Sequence, residues 1–169
     1  VRRDPSSRQK LSSCSLGERR KYLLAFALAA NTPLLLLDEP TNGLDIPAKV
    51  ALRRLLAAAV NDERTILLST HQVREIGLLL DPVVVLDGGR VLLNASVADL
   101  SRRLAFSVEA VEPPRGSYIH ADVGQGGWHV VRENAGAGES QPDLELLFSA
   151  VLANPDRFKS LFPLPAPVV

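Results

Sequence analysis

Leu34-Leu35-Leu36-Leu37-Asp38-Glu39-Pro40 decides how this chain is read. Four leucines without a polar residue between them do not alternate. Such a short apolar run reads as a strand buried on both faces, as in a parallel sheet. It ends abruptly in two acids and a proline. Thr41-Asn42-Gly43-Leu44 then reads as a turn. Asp45 is placed to cap a helix with Pro47 in its first turn. That helix carries Val50, Leu52, Leu55, Leu56 and Val60 and ends near Asn61. Thr65-Ile66-Leu67-Leu68-Ser69-Thr70 is a second buried strand, followed at once by His71. Residues 34–70 therefore form a strand–helix–strand unit, with two parallel strands and a right-handed crossover expected.

Upstream, Ser15-Leu16-Gly17-Glu18 has the pattern of a capping box, opening a helix that runs to about Ala30. Leu23, Leu24, Ala27, Leu28 and Ala30 give it an apolar stripe, and Asn31-Thr32-Pro33 stops it. Arg19, Arg20 and Lys21 crowd its first turn, where they oppose the helix dipole. Their placement suggests a role other than stability, such as holding an anion. Residues 1–13 read as a polar, basic loop.

Downstream, a short helix is expected over Gln72–Leu80. A hairpin follows, with Val83–Leu86 and Val91–Leu93 flanking Asp87-Gly88-Gly89-Arg90. Ser96 caps another short helix ending in Arg102-Arg103. After about residue 104 the texture changes. Phe106–Val111, Tyr118–Asp122 and Trp128–Arg132 read as strands, and Asp143–Ala153 as a final amphipathic helix. The segment from Pro163 reads as an extended tail.

In an open parallel sheet, ligands sit beyond the carboxyl ends of the strands. The inferred strands end in Asp38-Glu39 and in His71, so two carboxylates and an imidazole converge if the strands are neighbours. This set suits attack by water on a phosphoryl group. Asp38 would hold Mg²⁺, which takes hard oxygen ligands. Glu39 would orient or deprotonate the water. His71 would steady the developing charge. The helix start at Ser15 offers a second anion site, where free N–H groups favour phosphate and Gly17 permits close approach.

Composition narrows the classes. Nineteen Lys+Arg balance 19 Asp+Glu, so no nucleic-acid partner is expected. Hydrophobic residues make up 46% and charged ones 22%, a globular composition. The single cysteine, Cys14, excludes an internal disulfide. No apolar run approaches the roughly 18–20 residues needed to span a bilayer. The chain contains no Met, which led to the expectation of a C-terminal piece of a longer protein.

The stretch from Cys14 to Asp45 (CSLGERRKYLLAFALAANTPLLLLDEPTNGLD), followed by ILLSTH at 66–71, resembles the later half of an ATP-binding cassette (ABC) ATPase. Ser15-Leu16-Gly17-Glu18 is similar to the family's signature sequence, with Leu and Glu at two variable places. Leu34–Asp38 resembles the Walker B strand, Gly43-Leu44-Asp45 the D-loop, and His71 the switch histidine. The resemblance covers roughly residues 10–104. It implies Glu39 and His71 as catalytic residues, Asp38 toward Mg²⁺, and Ser15, Gly17, Glu18 and Asp45 at ATP. Capping alone would also account for Asp45. It implies a second ATPase subunit and an integral membrane permease as partners. Both would be met at the inner face of the plasma membrane, where this chain would be cytoplasmic and peripheral. The segment from Asp143 to Phe148 resembles the closing helix of ATPases that serve ABC-2 type permeases.

Two elements of the family pattern are missing from the 169 residues: the G-x-x-x-x-G-K-[ST] phosphate loop and the glutamine loop. The chain alone is therefore expected to be inactive. The fold expected is α/β. A partial P-loop NTPase-type, mostly parallel sheet with flanking helices would occupy 1–104. A small antiparallel β-rich extension with a closing helix would fill 105–162, and a tail 163–169. The competing readings are a non-catalytic half-domain acting as a binding module and a soluble, non-transport ABC ATPase.

Overall fold

The computed structural model describes residues 10–73, 81–136 and 138–164. The helix expected over Gln72–Leu80 and most of the basic N-terminal loop lie outside the described residues. The chain divides into two compact units, residues 1–79 and 80–169. The sequence boundary at 104 and 105 lies inside the second of them, after the first residue of the strand Leu104–Glu109.

The first unit contains helix α1 (Leu16–Ala29), strand β1 (Leu34–Asp38), helix α2 (Ile46–Ala59) and strand β2 (Thr65–Ser69). The two strands pair in parallel, from Leu34 opposite Thr65 to Asp38 opposite Ser69. Adjacent parallel strands put their carboxyl ends side by side, which positions the site described below.

Leu35, Leu37, Leu44, Ala48, Leu52 and Leu56 form the core of this unit. Leu24, Ala27 and Leu28 of α1 pack against it. They lie on one face because residues three and four apart are neighbours on a helix. Leu23, a residue out of step, is exposed, as are Tyr22 and Phe26. The expected stripe is therefore narrower than the composition of α1 suggested. Fully burying one leucine contributes about 1.5–3 kcal/mol, so Leu52 and Leu56 fix α2 firmly to the sheet.

One expectation is corrected. β1 is not buried on both faces: Leu35 and Leu37 are covered, whereas Leu34 and Leu36 are 55% and 64% exposed. Leu67 of β2 is exposed on the same open face, since Leu36 sits opposite it. In this unit α1 and α2 both contribute to the one core, and among the described residues nothing covers the other face.

Local signals explain where these elements begin and stop. Ser15 Oγ accepts from the Glu18 backbone N–H (3.3 Å), and the Glu18 carboxylate accepts from the Ser15 N–H (3.0 Å), completing the capping box. Asn31 leaves α1 with φ of 49°, the left-handed residue that commonly follows a helix. Arg64, 8% exposed, reaches the last turn of α1 and donates to the carbonyls of Leu28 (3.3 Å) and Ala27 (3.4 Å). Those carbonyls belong to the last turn of α1, where the negative end of the dipole lies, so a buried guanidinium is stable there.

The second unit begins with the hairpin of β3 (Val83–Asp87) and β4 (Arg90–Ala95), turning on Gly88 and Gly89, both at positive φ. Helix α3 (Val97–Arg103), capped by Ser96, leads into β5 (Leu104–Glu109). β5, β6 (His120–Gly124) and β7 (Gly127–Glu133) form an antiparallel sheet in the order β5-β7-β6. Helix α4 (Leu144–Ala153) was expected; helix α5 (Pro155–Leu161) was not. Leu93, Leu100, Leu104, Val131, Leu147 and Phe158 are fully buried at the centre of this unit. Arg132 spans the sheet to the Glu109 carboxylate, and that contact holds the Glu109 carboxyl below its usual range.

Candidate functional site

The parallel register sets Asp38 beside Ser69, and the two strands leave the sheet together. The Asp38 carboxylate accepts from the Ser69 hydroxyl. The next residue, Glu39, has φ of 44°. A residue with a Cβ seldom adopts this left-handed conformation, and such strain concentrates at functional positions. The bend lets the Glu39 N–H bond to the Ser69 carbonyl (3.0 Å), continuing the ladder, while the side chain turns across the end of β2.

There the Glu39 carboxylate meets the segment Thr70–Gln72. Its Oε1 accepts from the His71 N–H (2.9 Å) and lies 2.6 Å from His71 Nδ1. Its Oε2 accepts from the Thr70 hydroxyl (3.2 Å). Thr70 Oγ1 also accepts from the Gln72 N–H (2.9 Å), so the residues around His71 are folded tightly about one carboxylate. Desolvation pushes the Glu39 carboxyl up, but the bonds from His71 and Thr70 together outweigh it and hold the group below its ordinary value.

Two chemical consequences follow. Nδ1 of His71 faces the carboxylate. That directs Nε2 outward on a side chain that is 66% exposed. Nε2 is then the atom available to an incoming phosphoryl group. A carboxylate offers about four acceptor sites, and three are in use, so Oε2 retains capacity for a water. A carboxyl held low is a weak base and orients water better than it deprotonates it.

Asp38 is exposed at the same edge and presents hard oxygen together with the Ser69 hydroxyl. Among the described residues no group of three or more His, Cys, Asp or Glu could hold a metal ion. One carboxylate and a hydroxyl still suit Mg²⁺, which keeps several waters and takes further oxygens from phosphates. The donor set is therefore compatible with that ion.

The start of α1 is a separate feature of the same unit. Ser15 and Glu18 bond to each other. Gly17 faces the turn after β1: a Cβ there would sit 3.3 Å from the Gly43 carbonyl oxygen. Its small size therefore serves helix-to-turn packing as well as any close approach by phosphate. The three cations of this helix are bonded within the chain. Arg19 donates to the carbonyls of Cys14 (3.0 Å) and Ser12 (3.1 Å). Arg20 donates to the Asn42 carbonyl. Lys21 pairs with Asp45 (3.1 Å). Asp45 also caps α2 by accepting from the Ala48 N–H (2.9 Å), and both contacts hold its carboxyl below its usual range.

The structure thus brings Asp38, Glu39 and His71 to one edge. It sets Gly17 and Asp45 at the contact of α1 with the 42–45 turn, while Ser15 and Glu18 close the capping box at the start of α1. Sequence reasoning missed Ser69 and Thr70, which hold the two acids, and Asn42 and Gln72; it read Arg20 as part of a cluster that could hold an anion, whereas Arg20 donates to the Asn42 carbonyl. Their signal was only position: each lies within a few residues of a motif but carries no unusual chemistry of its own. Among the described residues no helix is long and apolar enough to cross a membrane.

Known proteins are similar to parts of this chain. Residues 7–76 match the family model described as "AAA domain, putative AbiEii toxin, Type IV TA system". An ABC transporter ATP-binding protein of Streptomyces avermitilis is 44% identical over 86 residues, 51% of this chain and 15% of that one. The Nod factor export ATP-binding protein I of Neorhizobium galegae is 41% identical over 83 residues, 49% of this chain and 24% of that one. The ABC transporter ATP-binding protein NatA of Bacillus subtilis is 33% identical over 92 residues, 54% of this chain and 37% of that one. The chain therefore spans 15% to 37% of the length of these relatives. A solved cobalt transport ATP-binding protein aligns at a TM-score of 0.49 and 21% identity, over 89% of this chain and 53% of that one. Over about half of its own length, the chain is similar to ABC transporter and Nod factor export ATP-binding proteins.

Proposed function

We propose that this chain supplies the water-activating half of an ATP-hydrolysing site in an ABC transporter and couples that hydrolysis to a separate membrane permease. The observation that carries the reading is the contact between Glu39 and His71, 2.6 Å apart at the ends of two paired strands. Glu39 orients the attacking water through Oε2, and His71 offers Nε2 to the transferring phosphoryl group. Asp38 carries Mg²⁺, which when bound offsets charge on the phosphates. Ser15, Gly17 and Glu18 present the positive end of α1 to a nucleotide held by a second ATPase subunit, with Asp45 at the edge of that contact. The permease partner, of ABC-2 type, would place the chain at the inner face of the plasma membrane. Residues 105–162 form an accessory part outside the chemistry.

The phosphate loop absent from these 169 residues must come from elsewhere, either from a longer form of the protein or from a partner. The test is Mg-ATP turnover by the chain alone and by the chain fused behind the phosphate-loop half of a relative. The chain alone is expected to show none. The fusion should turn over, and Glu39→Gln in it should abolish turnover while sparing nucleotide binding. Turnover unaffected by Glu39→Gln would refute the assignment.

A further inference from the structure

The start of α1 and the Glu39–His71 contact are joined through one residue. Asn42, half-buried in the turn after β1, uses its main chain and its side chain on different elements. Its backbone carbonyl accepts from the Arg20 guanidinium of α1. Its side-chain Oδ1 accepts from Gln72 Nε2 (3.1 Å), on the residue directly after His71. The Gln72 N–H bonds to Thr70 Oγ1, which itself donates to Glu39. A continuous series of hydrogen bonds therefore runs from Arg20 through Asn42, Gln72 and Thr70 to the catalytic carboxylate.

The surroundings keep this connection short. Gly17 lies so close to the turn that a Cβ would sit 3.3 Å from the Gly43 carbonyl. Gly43 has φ of 72°, and a Cβ there would sit 3.1 Å from the Arg20 guanidinium. The ion pair of Lys21 with Asp45 holds the same turn from its other end. A displacement of α1 at this point must move the Asn42 backbone, and Asn42 cannot move without stretching its bond to Gln72.

We propose that Asn42 is a positioning residue that couples the first turn of α1 to the placement of His71 against Glu39. The proposal rests on the functional reading above only for its purpose: a nucleotide seated on α1 would report its presence to the residues that direct the water. The coupling itself is a property of the chain and is measurable without nucleotide. Coupling of this kind is established by a perturbation at one end read at the other, not by spatial continuity alone.

The readout is amide hydrogen exchange at His71, whose N–H is held by Glu39, in the full chain without nucleotide. A net hydrogen bond of about 0.5–1.5 kcal/mol corresponds to roughly a 2- to 12-fold change in local opening. Asn42→Ala, Gln72→Ala and Arg20→Ala should each raise His71 exchange within that range, with the urea midpoint of the chain essentially unchanged. Asn42→Asp, which keeps an acceptor for Gln72, should restore protection. Arg20→Ala should have no further effect at His71 once Gln72→Ala is present, because the series is already broken. Full additivity of those two changes, or no response of His71 to Arg20→Ala, would overturn the proposal. So would failure of Asn42→Asp to restore protection. A chain that shows the coupling but whose phosphate-loop fusion neither binds nor hydrolyses ATP would refute the functional reading and leave the coupling standing.

Discussion

The left-handed backbone at Glu39 allows its two roles, in conformation and in charge, to be separated by three substitutions. Glu39→Gln keeps the side-chain shape and the Oε1 acceptor for both His71 donors, and loses the charge. Hydrogen bonds to charged groups contribute about 1.5–3 kcal/mol against about 1 for neutral ones. At this partly exposed site the loss should fall at the low end, about 1 kcal/mol. Glu39→Ala removes the three bonds from His71 and Thr70 and keeps the Cβ, for a loss of about 2 kcal/mol. Glu39→Gly removes the same bonds but also relieves the left-handed strain, which costs a residue with a Cβ about 1–2 kcal/mol. The Gly variant should therefore be more stable than the Ala variant by about 1 kcal/mol, the reverse of what Gly and Ala do in ordinary backbone. Urea unfolding at pH 7 followed on the first unit measures all three. An Ala variant as stable as the Gly variant would refute a left-handed Glu39. None of the three should support turnover in the phosphate-loop fusion.

Acid gives an independent check on the same carboxylate. Its pKa is lowered on folding, so its contribution is complete above the unfolded carboxyl value of about 4.3. It disappears as pH falls through the lower folded value. The stability gap between the parent chain and Glu39→Gln should thus stay level from pH 7 to 5 and shrink below it. At the edge of α2, Asp45→Ala should lower the melting temperature through loss of the N-cap, whereas Lys21→Ala should lower it less, since their ion pair is exposed. Thermal melts distinguish the two, and equal losses would contradict the capping role. In the second unit, a Cβ at Gly127 would lie 2.2 Å from the Glu109 carbonyl oxygen at φ of 137°. Gly127→Ala should destabilise β5–β7 pairing by about 2–3 kcal/mol, and Gly126→Ala, at φ of 90° where a Cβ would meet only Val108 at an ordinary 4.0 Å, by about 1. Backbone amide shifts should localise the first change to β5 and β7. Leu52→Ala, at a fully packed position of α2, should cost about 2–5 kcal/mol.

What the chain's own letters determined was local. Ser15 and Glu18 form their capping box, Asp45 caps α2 and Ser96 caps α3, because each bond closes within three residues. The apolar runs around residues 34 and 65 were legible as strands from their own composition, and Gly88-Gly89 as a turn from the positive φ that glycine adopts. Even the meeting of the acid pair with His71 was legible, since a strand–helix–strand unit of this length returns its second strand beside the first. Composition could not say which leucine faces which way. Leu34 and Leu36 are chemically identical to Leu35 and Leu37, and only the packing of α1 and α2 on one side separates exposed from buried. Nor could spacing show that Arg20 and Gln72, 52 positions apart, converge on Asn42, or that Glu39 adopts a left-handed turn. Those contacts close loops of tens of residues. Their partners are chosen by the register of β1 against β2 and by the seat of α1 on α2, which exist only once the unit has folded.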